Sequence, residues 1–246
     1  MAQWLRQYRD LVSLQLRAMR TEVWFVITFQ GAMAAGLVLG MGYLMPEVSR
    51  RTATYLVTGT AAQSFATVGL VMLPQVVARG KALGTLDYYL TLPISREAYL
   101  LALVTVVALM AFPAVVFCIL FGMWRYDLAL QFDPAFLAVA VLAVLSLAGV
   151  GVAMAVYSPH QQVTNALTQL VIFYVIFFAP VLLPVEQLPG LLQFTANFFP
   201  PTYAADGVRA TLTDLPGTHL VRSLLAMTGF AAGSLALSSA AIRRRG

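Results

Sequence analysis

Charged residues are scarce in this chain of 246 residues, and their scarcity excludes an ordinary soluble domain. Only 10% of the residues are charged and 60% are hydrophobic, and the mean hydropathy is +0.82. A soluble domain carries about 25% charged residues. The apolar surface must therefore face something other than water, and runs of about 20 apolar residues can cross a bilayer as helices.

Residues that perform catalysis or bind nucleotides are also scarce. The chain has one cysteine, Cys118, and two histidines, and their spacing fits no metal site. A P-loop needs a Gly separated by four residues from a Gly-Lys, and a Ser or Thr after it. Around Gly80 and Lys81 those places hold Gln75 and Ala82. We therefore expect no catalytic residue, no metal and no cofactor bound by this chain.

Ionisable side chains are almost missing from the apolar segments, where Arg222 lies at one edge. Proton-driven carriers usually hold buried ionisable residues as relays. The lack of them weakens the hypothesis of a gradient-driven secondary transporter, which stays the alternative because a sodium-coupled carrier could use neutral oxygens such as those of Gln30 and Gln63. Energy for uphill transport would then come from outside the chain.

Six apolar segments predict an all-α integral membrane protein that forms one domain over residues 1–246. Spanning segments must be helical, since an open strand would leave backbone polar groups unsatisfied in lipid. The predicted spans are Val23–Met45, Ala53–Val77, Ala98–Met123, Pro134–Tyr157, Ala166–Leu183 and Leu220–Ile242.

Basic residues are distributed unevenly between the two sides of this six-span arrangement. Ten of the fifteen lie on the side of the two termini, and five lie on the other side. The positive-inside rule therefore predicts a multi-pass protein of the cytoplasmic membrane with both termini in the cytoplasm. The net charge of +5 reflects this topology, and we expect no nucleic-acid partner.

The N-terminal segment 1–22 has apolar residues at helical spacing, among them Trp4, Tyr8 and Leu11. Basic residues lie mostly on the other faces. This pattern predicts an amphipathic helix in the headgroup region of the bilayer. A basic flank that only sets the topology is the alternative.

The segment 79–97 brings charge between two apolar blocks. Leu83, Leu86 and Leu90 have the spacing of one helix face, and Pro93 would end that helix. We therefore predict a helix from Arg79 to Leu90. It is either a loop element whose charges fix the topology or a docking helix that transmits motion from a partner to the second and third spans.

The stretch VARGKALGTLDYYLTLPISREAYL resembles the cytoplasmic segment of type-2 ATP-binding-cassette (ABC) permeases. In that segment a Gly-Thr-Leu-acidic run precedes Thr-x-Pro-x-Ser-Arg. The resemblance implies a coupling helix within 79–97, between spans two and three, that contacts an ATPase subunit. The implied contact residues are Arg79, Lys81, Leu83, Gly84, Thr85, Leu86, Asp87, Leu90, Pro93 and Arg96.

A second stretch, PVEQLPGLLQFTANFFPPTYAADGVRATL, resembles the segment before the last span in the same family. It implies short re-entrant helices within 184–219 that dip into the outer leaflet; an ordinary extracellular loop is the alternative. The matching residues are Pro184, Pro189, Pro200, Thr202, Tyr203 and Arg209.

The resemblance also implies partners and a direction of transport. Two separate ABC ATPase subunits would bind ATP and magnesium, and a second permease subunit, identical or homologous, would pair with this chain in the lipid bilayer. Segment 1–22 would be the connecting helix. The resemblance implies export of a substrate of the drug, antibiotic, lipid or glycan class, and the uncharged interior suits an amphiphilic or apolar substrate.

Overall fold

A computed structural model describes residues 2–44, 49–91, 94–177, 181 and 189–243. Within these residues the chain is helical and contains no strand, which confirms the all-α prediction there. A π-helical turn at Val68–Met72 joins α3 and α4 into one continuous element. The helices are α1 (Ala2–Ala18), α2 (Arg20–Leu44), α3 (Arg50–Thr67), α4 (Leu73–Ala82), α5 (Thr85–Thr91), α6 (Arg96–Tyr126), α7 (Ala135–Tyr157), α8 (Gln161–Phe177), α9 (Gly190–Ala196), α10 (Pro200–Leu212) and α11 (Leu220–Arg243).

Four of the described helical elements are long and apolar enough to cross a membrane. They are Val23–Gly40 in α2, Arg50–Ala82, Ala98–Tyr126 and Ala135–Tyr157. The chain is thus a multi-pass membrane protein. α8, with 17 residues, and α11, with its apolar stretch Leu220–Ser234, are the fifth and sixth predicted spans, and that assignment stays a prediction.

The observed bounds differ most from the predicted ones in the second and fifth spans. The second span is longer than Ala53–Val77, because its helical element runs from Arg50 to Ala82 without a break. The fifth begins earlier than Ala166, at Gln161. The predicted ends at Met45 and Leu183 lie outside the described residues.

The second span packs closely on α7 at two glycines, one in each helix. A glycine has no side chain to hold the two backbones apart. A Cβ on Gly69 would lie 2.6 Å from the Leu147 Cβ, and one on Gly151 would overlap the Gly69 carbonyl oxygen. Small residues at such a contact let helix backbones approach each other in a membrane. The π-helical turn lies at this contact, and Phe65 and Leu73 beside it are fully buried.

Polar contacts show which helix ends lie together. Lys81 Nζ lies 2.6 Å from Ser158 O, which places the end of α4 beside the end of α7. The Gln131 N–H donates to Leu212 O at 3.0 Å, which places the chain that leads from α6 to α7 beside the end of α10. We call the end at Lys81 and Ser158 the α5 end, because α5 follows α4 there. We call the end at Gln131 and Leu212 the α10 end.

Candidate functional site

The helix predicted from Arg79 to Leu90 is broken in the structure. Arg79 and Lys81 belong to the last turn of α4, and the Leu83 N–H closes that turn by donating to Arg79 O at 3.0 Å. The next residue, Gly84, has φ = 70°. Glycine adopts this left-handed conformation at no steric cost and commonly follows the last residue of a helix. The prediction of one uninterrupted helix is therefore wrong.

A second, shorter helix begins directly after this turn. α5 carries Leu86, Asp87 and Leu90, whereas Leu83 lies in the turn before it. Contrary to the prediction, the three leucines therefore do not belong to one helix. Pro93, predicted to end the helix, lies outside the described residues.

The turn and α5 expose apolar side chains at the α5 end. Leu83 is 71% exposed and Tyr88 is 62% exposed. We define the α5 surface as five exposed residues of this segment: Leu83, Gly84, Thr85, Tyr88 and Thr91. Exposed leucine and tyrosine side chains beside basic residues suit a protein partner, because aromatic and apolar anchors supply much of the binding energy at interfaces.

Lys81 lies next to this surface but binds inside the chain. Its ammonium group donates to Ser158 O at 2.6 Å and lies 3.4 Å from Val156 O. These carbonyls are at the C-terminus of α7, where a cation interacts favourably with the helix dipole. Lys81 thereby ties the second span to α7.

The beginning of α6 contacts both α5 and α1. The rings of Tyr89 and Tyr99 stack with centroids 4.9 Å apart. Ser95 is the N-cap of α6, and its hydroxyl oxygen accepts hydrogen bonds from the Ala98 N–H at 3.0 Å and from Trp4 Nε1 at 3.2 Å. An N-cap serine satisfies a helix N–H that has no partner within the helix. Ser95 therefore both begins α6 and binds α1.

The apolar face predicted for the N-terminal segment packs on α6. Leu11 forms a cluster with Ala98 and Ala102, and the Tyr8 hydroxyl lies 2.7 Å from Thr105 Oγ1. Leu5 on another face is exposed. One face of α1 therefore packs against α6 of the same chain. Its position in the headgroup region of the bilayer stays a prediction.

The α10 end holds the two short helices α9 and α10. Pro189 is the N-cap of α9, and Pro200 is the first residue of α10, a place where its missing N–H costs nothing. Thr202 and Tyr203 are buried, and the Tyr203 hydroxyl donates to Asn197 O at 2.8 Å. Pro184 lies outside the described residues. That these helices enter the outer leaflet stays a prediction.

Arg209 is the cation at the centre of this region, and it is only 1% exposed. Its guanidinium group donates to Asp206 Oδ1 at 3.2 Å and to Val181 O, and it lies 4.4 Å from the centre of the Tyr55 ring. These contacts join α10 to α3. The sequence predicts Arg209 only as a residue of the re-entrant region, because Tyr55 is too distant in the sequence to signal their pairing.

In the part of the chain that the structure describes, no three His, Cys, Asp or Glu side chains come together as metal ligands would. Cys118 is buried, and its thiol donates to Val57 O at 3.3 Å, a structural contact between α6 and α3.

No curated protein matches the chain. The profile of one family, described as ABC-2 type transporter, matches residues 1–213, which is most of the chain and includes both stretches that carried the resemblance. The chain therefore belongs to the ABC-2 type transporter family, the permease components of ABC transporters, whose partners include an ATP-binding subunit.

Proposed function

We propose that the chain is the permease subunit of an ABC exporter and moves an amphiphilic or apolar substrate out of the cytoplasm. Two separate ATPase subunits would bind ATP and magnesium, and a second permease subunit would complete the pathway. The observation that carries this proposal is the α5 surface, an exposed apolar segment that links two spans in a chain of this family.

The contacts of α5 support a role in transmitting movement. On one side the Gly84 turn continues into α4, which Lys81 ties to α7. On the other side Tyr89 stacks on Tyr99 of α6. A force applied to α5 would therefore act on the second and third spans together. It would also reach α7 through the contact of Lys81 with Ser158 O. Coupling of this kind needs a contiguous chain of packed groups.

The docking contact should be tested with side chains that are exposed, because their removal leaves the fold intact. Surface substitutions usually change stability by less than about 0.5 kcal/mol. Burying a leucine or an aromatic side chain at an interface contributes about 1.5–3 kcal/mol. We expect the double variant L83S/Y88S to enter the membrane normally but to lose most co-purification with the ATPase subunit and most stimulation of its ATP hydrolysis.

A matched control is available at the α10 end. Trp124 and Phe132 are 75% and 59% exposed, similar to Leu83 and Tyr88. The variant W124S/F132S should bind the ATPase subunit like the parent. Equal binding by L83S/Y88S and the parent would mean that the segment only fixes topology.

Topology can be measured with the same exposed positions. On a C118A background, a cysteine at Leu83 should react with an impermeant maleimide only after the cells are opened. A cysteine at Phe132 should react in intact cells. The reverse pattern would exclude cytoplasmic termini and a cytoplasmic α5 surface.

The energy source is tested by reconstitution. We expect the purified chain alone to hydrolyse no ATP, and transport in proteoliposomes to require the ATPase subunit and magnesium-ATP. Transport by the chain alone under an ion gradient would favour the gradient-driven carrier instead.

A further inference from the structure

One cationic and two aromatic side chains are exposed where α2 and α6 end side by side. The Tyr126 hydroxyl of α6 donates to Val38 O of α2, which joins the two helices near these ends. Tyr43 on α2 is 80% exposed and Trp124 on α6 is 75% exposed. Arg125 is also exposed. We call Tyr43, Trp124 and Arg125 the α2–α6 rim.

The Arg125 guanidinium contacts aromatic rings and forms no ion pair with a carboxylate among the described residues. Its Cζ lies 5.8 Å from the centre of the Tyr43 ring and 5.6 Å from the centre of the Tyr126 ring, as in cation–π contacts. The nearest carboxylate along the chain, that of Asp127, pairs with Arg50 at 3.7 Å. An arginine has five N–H donors and the rings do not use them as an oxygen acceptor would, so Arg125 can still bind an anion.

The length of α6 places the rim at the level of the lipid headgroups. Its apolar stretch runs from Ala98 to Tyr126, which is 29 residues. At the helical rise these residues extend about 44 Å. A bilayer with its headgroup regions is about 40–45 Å thick. When Ala98 lies in one headgroup region, Arg125 therefore lies in the other.

We propose that the α2–α6 rim binds the phosphate group of an anionic phospholipid, with Arg125 donating hydrogen bonds to the phosphate oxygens. A guanidinium suits this ligand because its planar fork can donate two parallel hydrogen bonds to a phosphate. Tryptophan and tyrosine, the two aromatic residues of the rim, are the types enriched at the headgroup level. The lipid is thus the anion that an arginine meets at this depth. This inference does not depend on the transport function.

A second copy of the chain fits the rim less well than a lipid. A two-fold contact is formed by the same surface on both subunits. Each copy would bring its own Arg125 to that contact, and the rim has no acidic residue to compensate the two charges. A lipid phosphate supplies the missing negative charge.

The headgroup contact is tested by lipid competition. The protein is reconstituted in nanodiscs with equal amounts of phosphatidylglycerol and phosphatidylcholine, and native mass spectrometry measures which lipid stays bound. R125Q should lower the preference for phosphatidylglycerol about fivefold. The control R51Q removes the same charge from an exposed arginine in the first turn of α3 and should keep most of the preference. An unchanged preference in R125Q, or an equal loss in R51Q, would overturn the proposal.

The aromatic part of the rim is tested at Tyr43. Y43L keeps the arginine but removes a ring that contacts it, so this variant should lose part of the preference, and less than R125Q loses. The matched control is F29L, because Phe29 is an exposed aromatic residue of the same helix, 14 positions earlier. Substitutions at exposed positions should leave the fold intact. Equal lipid retention by Y43L and F29L, or a two-chain mass that R125Q reduces to one chain, would overturn the proposal; the second result would identify a protein–protein contact.

Discussion

The two ends of the helix bundle differ in whether the chain encloses a charged side chain. At the α10 end, Arg209 is enclosed by Asp206, Val181 O and the Tyr55 ring, and Tyr203 is buried with its hydroxyl donating to Asn197 O. At the α5 end, Leu83 and Tyr88 are exposed on a helix of seven residues. Both ends expose large apolar side chains, Trp124 and Phe132 among them at the α10 end, so the ends differ in the enclosed cation and not in exposed apolar area.

The difference separates residues that hold the fold from residues that act on a partner. Removal of a buried group at the α10 end should cost stability, because its neighbours lose their contacts. Removal of an exposed group at the α5 end should cost partner binding at nearly constant stability. The predictions below test this division, from the largest expected change to the smallest.

Replacement of Arg209 should have the largest effect. The variant R209L removes one partner of a buried ion pair together with its bond to Val181 O, a change that costs about 3 kcal/mol or more in other proteins. Asp206 is partly exposed, which keeps the cost at the low end of that range. We expect a clearly lower thermal unfolding midpoint in detergent and a low yield.

Two variants control this prediction. Lysine at position 209 keeps the charge but not the planar group that stacks on Tyr55, so R209K should be intermediate. Arg222 at the same end is exposed and donates one hydrogen bond to Asn197 Oδ1 at 3.0 Å. R222A should cost about 0.5–1.5 kcal/mol. An equal loss in R209L and R222A would show that Arg209 does not anchor α10.

Arg209 also shows where sequence reasoning reaches its limit. Long apolar runs predicted the membrane helices, because the composition of a run decides whether it can face lipid. The partners of Arg209 and Lys81 were not predictable, since Tyr55 and Ser158 are far away in the sequence and are brought close only by packing. The break at Gly84 was predictable in principle, because a glycine that follows basic residues within about one turn, here Lys81, is a helix-end signal. The regular spacing of the leucines argued for one continuous helix instead.

Replacement of Gly84 should have an intermediate effect and act on coupling more than on the fold. Its φ of 70° costs a residue with a Cβ about 1–2 kcal/mol, so G84A should lower stability and reorient α5 relative to α4. ATPase stimulation by the reconstituted complex should fall further than the unfolding midpoint.

Gly80 provides the control for Gly84, because it lies four residues earlier within α4 and a Cβ there would meet no atom within 4 Å. G80A should be neutral or stabilising by about 0.5–1 kcal/mol. Identical behaviour of G80A and G84A would mean that the turn at Gly84 does not position α5.

The contact of α1 with α6 should give the smallest change. Thr105 donates its hydroxyl proton to Leu101 O at 2.8 Å, so the Tyr8 hydroxyl must donate to Thr105 Oγ1. Hydrogen bonds between membrane helices contribute about 0.6 kcal/mol on average, and a double-mutant cycle of Y8F and T105V should give a coupling energy of that size. The cycle is completed by measuring the unfolding midpoints of the parent, both single variants and the double variant. Coupling of zero would mean that the Tyr8–Thr105 contact does not hold α1 on α6, which would leave that role to the Trp4–Ser95 hydrogen bond and the apolar contacts of Leu11.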